Sequence, residues 1–222
     1  MEKVKRSTRK KAGSGTTIMD VYQEYLPMHG TRPSTIYKFC IENGFSEQDF
    51  YKIAGSFDAL EGKIWLEYIQ RTIQTLRTDA NFDSFSSREK LLAFYFTLIE
   101  ILNANRSFAV LLLGRQSRPE ITPGYLRSFK KEFEVFASEI MDEGKAKGEV
   151  ARRPYLDSRY PQLLWAHMAL LLMFWKEDGS ASFEQTDAFI EKSVNLAYDI
   201  IGKGVIDSTI DFAKFLYQSR SN

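Results

Sequence analysis

The stretch that most limits the fold runs from Gly44 to Leu60. Gly44 can end one helix, and Ser46, a favoured N-cap residue, follows with Asp49 three positions further on. Apolar residues then recur at helical spacing, at Phe50, Ile53, Ala54 and Phe57. The pattern predicts a tight turn and a short helix, which fits either the second half of a helix-turn-helix or an ordinary helical hairpin.

Two short helices precede this stretch and a long one follows it. Residues 17–29 and 34–43 have apolar positions at helical spacing, and Gly30 and Gly44 stand at their ends. The helix that begins near Ser56 continues to about residue 78, which is long enough to join two lobes rigidly. The three short helices together predict a small tri-helical unit.

The rest of the chain also has helical periodicity and no strand signal. Ser86 and Glu89 form a capping box, and Thr122-Pro123 is a good N-cap and N1 pair. We expect helices at residues 90–105, 107–113, 123–144, 161–176 and 182–202. The sequence therefore predicts an all-α fold.

The helical pattern and the charge distribution divide the chain into four parts. Residues 1–16 carry six Lys or Arg and no apolar periodicity, which predicts a disordered basic arm. Residues 17–62 form the helix-turn-helix-like unit, and residues 63–204 form a larger lobe. Residues 205–222 are an amphipathic extension, which either packs over the core or lies on a membrane surface.

Composition excludes several classes of function. The net charge of +1 argues against a protein that coats nucleic acid, and the single cysteine excludes an internal disulfide. We find no nucleophile–base arrangement, phosphate loop or zinc spacing, so we expect no enzyme activity, cofactor or metal. The N-terminus has no apolar signal core, and the longest apolar run, residues 163–175, is too short to span a membrane. A cytoplasmic location fits best.

The order of these parts resembles the TetR family of bacterial transcriptional regulators. The resemblance rests on Gly30 and Gly44, on Phe50-Tyr51 and on the segment Gly-Ser-Phe-Asp-Ala-Leu at 55–60, all at the spacing of that family's DNA-binding unit. Residues 142–149 and 183–191 are similar to stretches of its ligand-binding lobe, so the resemblance covers about residues 17–202. It implies a homodimer built on the last two long helices, double-stranded DNA as a partner and a small hydrophobic ligand.

The resemblance also implies two sets of functional residues. The DNA contacts would be Arg32, Ser46, Glu47, Gln48, Tyr51 and Lys52. Among them, Gln48 suits adenine and Glu47 suits the amino group of cytosine. The ligand pocket would be lined by Phe94, Leu98, Ile101, Phe108, Leu112, Phe129, Phe133, Phe136, His167 and Leu171. For each pocket residue, plain core packing is the alternative.

Two functions are compatible with this sequence. The first is a homodimeric transcriptional repressor in which a hydrophobic small molecule changes the spacing of the two helix-turn-helix units. The second is a lipid-binding accessory protein on the same fold that has lost DNA binding, similar to ubiquinone-biosynthesis accessory proteins. The second is favoured by the acidic third helix with Glu47 and Asp49, by the Phe-rich lobe and by the amphipathic segment 205–217. Phe57 also stands where the family has a phosphate-binding Lys.

Overall fold

The computed structural model describes residues 16–115, 122–153 and 156–202. These residues form α-helices and short 3-10 turns, and no strand occurs among them, so the all-α prediction is confirmed. The helices are α1 Ile18–His29, α2 Ile36–Asn43, α3 Glu47–Ile53, α4 Phe57–Thr78, α5 Ser87–Asn103, α6 Arg106–Gly114, α7 Arg127–Lys147, α8 Tyr160–Glu177 and α9 Glu184–Ile201.

The first three helices begin and end where the sequence signals lie. Thr17 caps α1 through a capping box with Asp20, and Ser46 caps α3 by accepting a hydrogen bond from the Asp49 amide at 3.1 Å. The helices α1 and α2 end at glycines in the left-handed conformation, which is the backbone state that glycine adopts most easily. These caps fix the turn between α2 and α3.

An aromatic cluster holds this unit together. The ring of Phe39 on α2 contacts Tyr22 of α1 at 5.8 Å, Phe50 of α3 at 6.5 Å and Phe57 of α4 at 5.9 Å. The rings of Tyr22 and Phe57 stack at 5.3 Å. Phe57 is therefore half-buried between the unit's helices, where aromatic pairs add stability beyond the area that they bury.

The helix α4 joins this unit to the larger lobe. Its Trp65 contacts Phe129 of α7 at 5.8 Å, and Gly62 lies close to the backbone of Tyr125. Inside the lobe, rings of α5 and α7 pack on each other, with Phe94 and Phe136 at 4.7 Å. The core is therefore continuous from α1 through α4 to α7 and α8.

The helix α7 departs furthest from its predicted bounds, whereas α5, predicted at 90–105, begins at Ser87 and ends at Asn103. We predicted α7 from Pro123 to about Gly144, but residues 124–126 form a 3-10 turn and the α-helix runs on to Lys147. Gly144 does not end the helix, because it lies inside it against Ser87 and Val150, where a Cβ would come within 3.0 Å of both. The left-handed residue that ends α7 is Gly148, with a φ of 77°.

Arginine side chains anchor the ends of the last two helices. The guanidinium of Arg106 lies between the rings of Trp175 and Phe183, at 4.8 and 4.4 Å, and donates to carbonyls at the end of α8. Arg153 donates to the carbonyls of Ile201 and Gly202 at the end of α9. Several carbonyls that have no partner within the two helix ends are thereby given hydrogen bonds.

Within the described ranges no single helix is long and apolar enough to cross a membrane. The pair α5 and α6 reaches that length and composition together, but the two helices meet at an angle of 97°. The basic arm except Thr16, and the predicted extension at residues 205–222, lie outside the described residues.

Candidate functional site

The helix α3 presents three of the predicted DNA contacts to solvent. Gln48, Tyr51 and Lys52 are exposed, whereas Glu47 is half-buried and Ser46 is engaged as the N-cap. The ammonium of Lys52 is paired with the carboxylate of Asp49 at 2.8 Å. Hydrogen bonds from Lys52 and from Ser46 lower the pKa of Asp49 to about 2. The basic side chain of α3 is therefore matched by a carboxylate on the same helix.

Arg32 was predicted to contact DNA, but its guanidinium is directed at two carboxylates of α4. Its Nη2 lies 2.6 Å from Asp58 Oδ1, and its Nε donates to Glu61 Oε1 at 2.9 Å. Hydrogen bonding to Glu61 raises the pKa of Arg32 above its ordinary value. In this arrangement Arg32 fastens the loop between α1 and α2 to α4.

Glu61 is the centre of a buried polar network, which we call the Glu61 network. Its side chain is 1% exposed and accepts hydrogen bonds from Tyr22, Arg32 and Arg115. Burial, and then the charge of Glu61, raise the pKa of the Tyr22 hydroxyl well above its usual range. The network joins α1, the α1–α2 loop, α4 and the residue that follows α6.

The predicted ligand-pocket residues do lie together in the lobe, but as packed core. Eight of the ten are buried, and only Ile101 and His167 keep partial exposure. The ring of Phe133 contacts Phe94 at 5.4 Å and Trp165 at 6.2 Å, and Phe129 contacts the same Trp165 ring at 6.1 Å. The residues predicted to line a ligand pocket therefore form the packed interior of the lobe.

A large apolar cavity lies instead on the outer side of α8 and α9. This α8–α9 groove has a volume of about 440 Å³ and is lined almost wholly by apolar atoms. Leu163, Leu170 and Leu196 line it while remaining 56%, 53% and 61% exposed. The other lining residues are Met141, Tyr160, Leu164, His167, Phe189, Ser193, Ala197, Ile200 and Ile201. Such a continuous exposed apolar surface is typical of a protein interface.

His167 is the main polar group in this groove. Its Nδ1 lies 3.0 Å from the Tyr95 hydroxyl and its Nε2 lies 2.8 Å from Ser193 Oγ. The Ser193 hydroxyl donates to the Ile190 carbonyl, which leaves it to accept from Nε2–H and leaves Nδ1 to accept from Tyr95. Burial lowers the pKa of His167, so the neutral ring is favoured.

The Glu61 network was missed at the sequence level, although one signal for it exists. Glu61 falls on the apolar stripe of α4 with Ile64, Trp65 and Tyr68, where a carboxylate needs a partner. The groove lies on the last two long helices, which the resemblance implied as the place where two copies meet. Within the described parts of the chain, no cluster of His, Cys, Asp or Glu could hold a metal ion.

The described residues form an all-α protein in two parts, an N-terminal unit with a helix-turn-helix and a larger helical lobe. Residues 90–216 match the family described as "Tetracyclin repressor-like, C-terminal domain". The chain belongs to this family, the TetR family of regulators.

Two solved structures share the fold. One is the fatty acid degradation regulator FadR from Bacillus halodurans, with 17% identity and a TM-score of 0.61 over 79% of this chain and 95% of that chain. The other is a protein of unknown function from Rhodococcus sp. RHA1, with 14% identity and a TM-score of 0.53 over 87% of this chain and 100% of that chain. No curated protein matches the sequence.

Proposed function

We propose that this protein is a cytoplasmic, homodimeric transcriptional repressor that binds double-stranded DNA and responds to a small hydrophobic molecule. The observation that carries this proposal is the combination of a capped helix-turn-helix with the apolar α8–α9 groove in one chain. The first gives a unit that can enter a major groove, and the second gives a surface on which two such units can be paired.

The occupant that we assign to the α8–α9 groove is the same face of a second copy. Leu163 and Leu170 are seven residues apart on α8, and Phe189 and Leu196 are seven apart on α9, so each helix presents one continuous stripe. Two helices that each leave a stripe uncovered complete a four-helix arrangement when they meet their own copies around a two-fold axis.

The DNA contacts that we propose are the exposed residues of α3. Gln48 and Tyr51 remain proposed contacts, because both side chains are exposed on α3. Arg32 is reassigned to a role inside the protein, because it is paired with Glu61 and Asp58. Phosphate attraction then has to come from Lys38, Lys52 and the Lys and Arg residues of the arm.

The ligand site that we propose is the aromatic core between α5, α7 and α8. Phe94, Phe133 and Phe136 supply an apolar surface, and a ligand would have to separate these rings to enter. Fatty acids of graded chain length are the first probes to use, because the structurally similar FadR regulates fatty acid degradation. Stabilisation against heat that increases with chain length would support this site.

The DNA proposal is tested by selecting genomic fragments on the purified full-length protein at moderate salt. The fragments recovered are then measured with the wild type, with Gln48→Ala and with Glu139→Ala, a matched control on the exposed face of α7. We expect enrichment of one sequence, roughly tenfold weaker binding of it by Gln48→Ala and no change for the control. Binding that is indifferent to sequence, with the dimer intact, would contradict the proposal.

The second candidate, a lipid-binding accessory protein without DNA binding, is favoured by the charges of the helix-turn-helix. Lys52 is paired with Asp49, Arg32 is paired with α4, and Phe57 is half-buried in the unit's core. Native mass spectrometry of the purified protein decides between the two. A co-purified lipid together with failure to select DNA would establish the second function, and an empty protein that selects DNA would remove it.

A further inference from the structure

The Glu61 network brings together groups from both parts of the chain on one buried carboxylate. Tyr22 and Arg32 belong to the helix-turn-helix unit, whereas Arg115 is the residue that follows α6 in the lobe. Tyr22 also touches α6 directly, because its ring contacts Phe108 at 6.1 Å. The contact between α1 and α6 therefore includes this ring pair, and the shared carboxylate of Glu61 lies beside it.

The hydrogen bonds are distributed unevenly over the two oxygens of Glu61. Oε1 accepts from the Tyr22 hydroxyl at 2.8 Å, from Arg32 Nε at 2.9 Å and from Arg115 Nη1 at 3.2 Å. Oε2 accepts from Arg32 Nη2. A carboxylate oxygen offers about two lone-pair sites, so three donors on Oε1 compete. The longest of the three bonds, from Arg115, is the one that a small displacement breaks first.

Arg115 is also the partner that is freest to leave. Its side chain is 29% exposed, against 35% for Arg32, so both guanidinium groups reach water, but Arg115 gives up only one long bond to Glu61 when it leaves. Tyr22 has no such freedom, because it is fully buried among Phe39, Phe57 and Phe108. Arg32 holds both oxygens of Glu61 and is also paired with Asp58. If Arg115 withdraws, Tyr22 and Arg32 retain the carboxylate and share Oε1 between them.

We propose that the Arg115–Glu61 contact is an exchangeable coupling through which the position of the end of α6 is transmitted to α1 and the α1–α2 loop. With Arg115 in place, Oε1 is shared three ways; with Arg115 withdrawn, the bonds from Tyr22 and Arg32 strengthen and α1 is held more tightly on α4. The consequence for DNA binding rests on the proposed function, but the coupling itself does not.

Competition for one oxygen predicts a specific non-additivity in unfolding. Removing the Tyr22 hydroxyl with Tyr22→Phe leaves two donors on Oε1 in the wild type but only one when Arg115→Gln is also present. We expect Tyr22→Phe to lower the folding equilibrium constant about fivefold more in the Arg115→Gln background than in the wild type. The measurement is urea unfolding of the full chain for four proteins: the wild type, Tyr22→Phe, Arg115→Gln and the double variant.

A matched control is available in Tyr125. It is a tyrosine near the same place, but its hydroxyl donates to the Leu112 carbonyl at 3.1 Å rather than to Glu61. Tyr125→Phe should therefore have the same effect in both backgrounds. Equal effects of Tyr22→Phe in the two backgrounds, as for the control, would overturn the competition.

Amide hydrogen exchange on the full chain tests the transmission, without DNA or ligand. Arg115→Gln should slow exchange in α1 and at residues 30–35, in the other part of the chain. The control is Arg88→Gln, an arginine of the lobe that contacts Asn195 and Asp199. It should alter exchange only near α5 and α9. Changes confined to α6 in Arg115→Gln would overturn the coupling, whereas loss of DNA binding alone would count only against the proposed function.

Discussion

The Glu61 network and the α8–α9 groove are both contact surfaces, but they have opposite chemistry. The network is polar and centres on a buried carboxylate, because Tyr22, Arg32 and Arg115 all donate to the two oxygens of Glu61. The groove is exposed and apolar, and it depends on area contributed by about a dozen residues. A polar contact is directional and fails when one atom is removed, whereas an apolar surface tolerates loss of single methyl groups but not the arrival of a charge.

The largest expected effect on stability comes from a substitution in the Glu61 network. Glu61→Ala leaves the buried Tyr22 hydroxyl without its acceptor and removes the carboxylate that Arg32 and Arg115 share at the edge of this site. We expect the free energy of unfolding to fall by about 3–5 kcal/mol, measured by urea denaturation.

The control for Glu61→Ala is Glu139→Ala. Glu139 is also paired with an arginine, Arg77, at 3.0 Å, but both side chains are at least half exposed. Its loss should cost less than about 1 kcal/mol. If the two variants were equally stable, burial would not distinguish the Glu61 network from a surface ion pair.

The second-largest expected effect concerns dimer formation through the α8–α9 groove. Leu170→Glu places a carboxylate in the middle of the α8–α9 groove, where dimer formation would remove it from water. We expect the dissociation constant of the dimer to rise about 100-fold, measured by sedimentation at several concentrations.

Val135 on α7 provides a matched variant for this experiment. It is exposed to a similar degree, 52%, but it does not line the groove. Val135→Glu should leave the dimer unchanged. A Leu170→Glu protein that still sediments as the wild type would show that the groove is not the surface where copies meet.

A smaller effect is expected at a polar contact that is local in sequence. Asp178 accepts hydrogen bonds from the backbone and hydroxyl groups of Ser180 and Thr186, and so caps the start of α9. Burial by itself raises the pKa of Asp178, but these hydrogen bonds outweigh it and lower the pKa to about 2.

Asp178→Asn should therefore cost about 1 kcal/mol of unfolding free energy at pH 7, as loss of a helix cap does. Because the folded pKa is depressed, the contribution of the wild-type carboxylate is present above pH 4 and is lost as the pH falls toward 2. The two proteins should converge in stability at low pH. A constant difference from pH 7 to pH 2.5 would contradict the assignment.

The sequence predicted what depends on neighbouring residues. The caps at Ser46 and Ser86 are confirmed, because each involves residues three positions apart. The predicted end of α7 was wrong, because Gly144 packs against Ser87, which is distant in the sequence. The partners of Glu61 lie 29, 39 and 54 residues away along the chain, so no local pattern could have identified them.

The sequence also did not predict which individual residues of the groove are exposed. The helix α8 is apolar on several sides, and periodicity does not say which side the lobe covers. The structure buries Leu164, Met168 and Leu171 and leaves Leu163 and Leu170 exposed. The DNA contacts and the pocket remain predictions that the experiments above address.

The smallest effect concerns the one titratable imidazole in the groove. Burial raises the pKa of Tyr95, the tyrosine that contacts His167, above its ordinary value, so its hydroxyl stays neutral between pH 5 and 8. Protonation of His167 would place a proton on Nδ1, facing the Tyr95 hydroxyl that now donates to it. Because burial lowers the folded pKa, the unfolded chain takes up this proton at a higher pH than the folded chain does.

Stability from the neutral ring is therefore present at pH 7.5 and is lost as the pH falls below about 6.5, the ordinary pKa of histidine. We expect the wild type to lose more unfolding free energy between pH 7.5 and pH 5.5 than His167→Gln, which cannot titrate but can still bond Ser193. An equal loss in both proteins would mean that His167 does not contribute to the pH dependence.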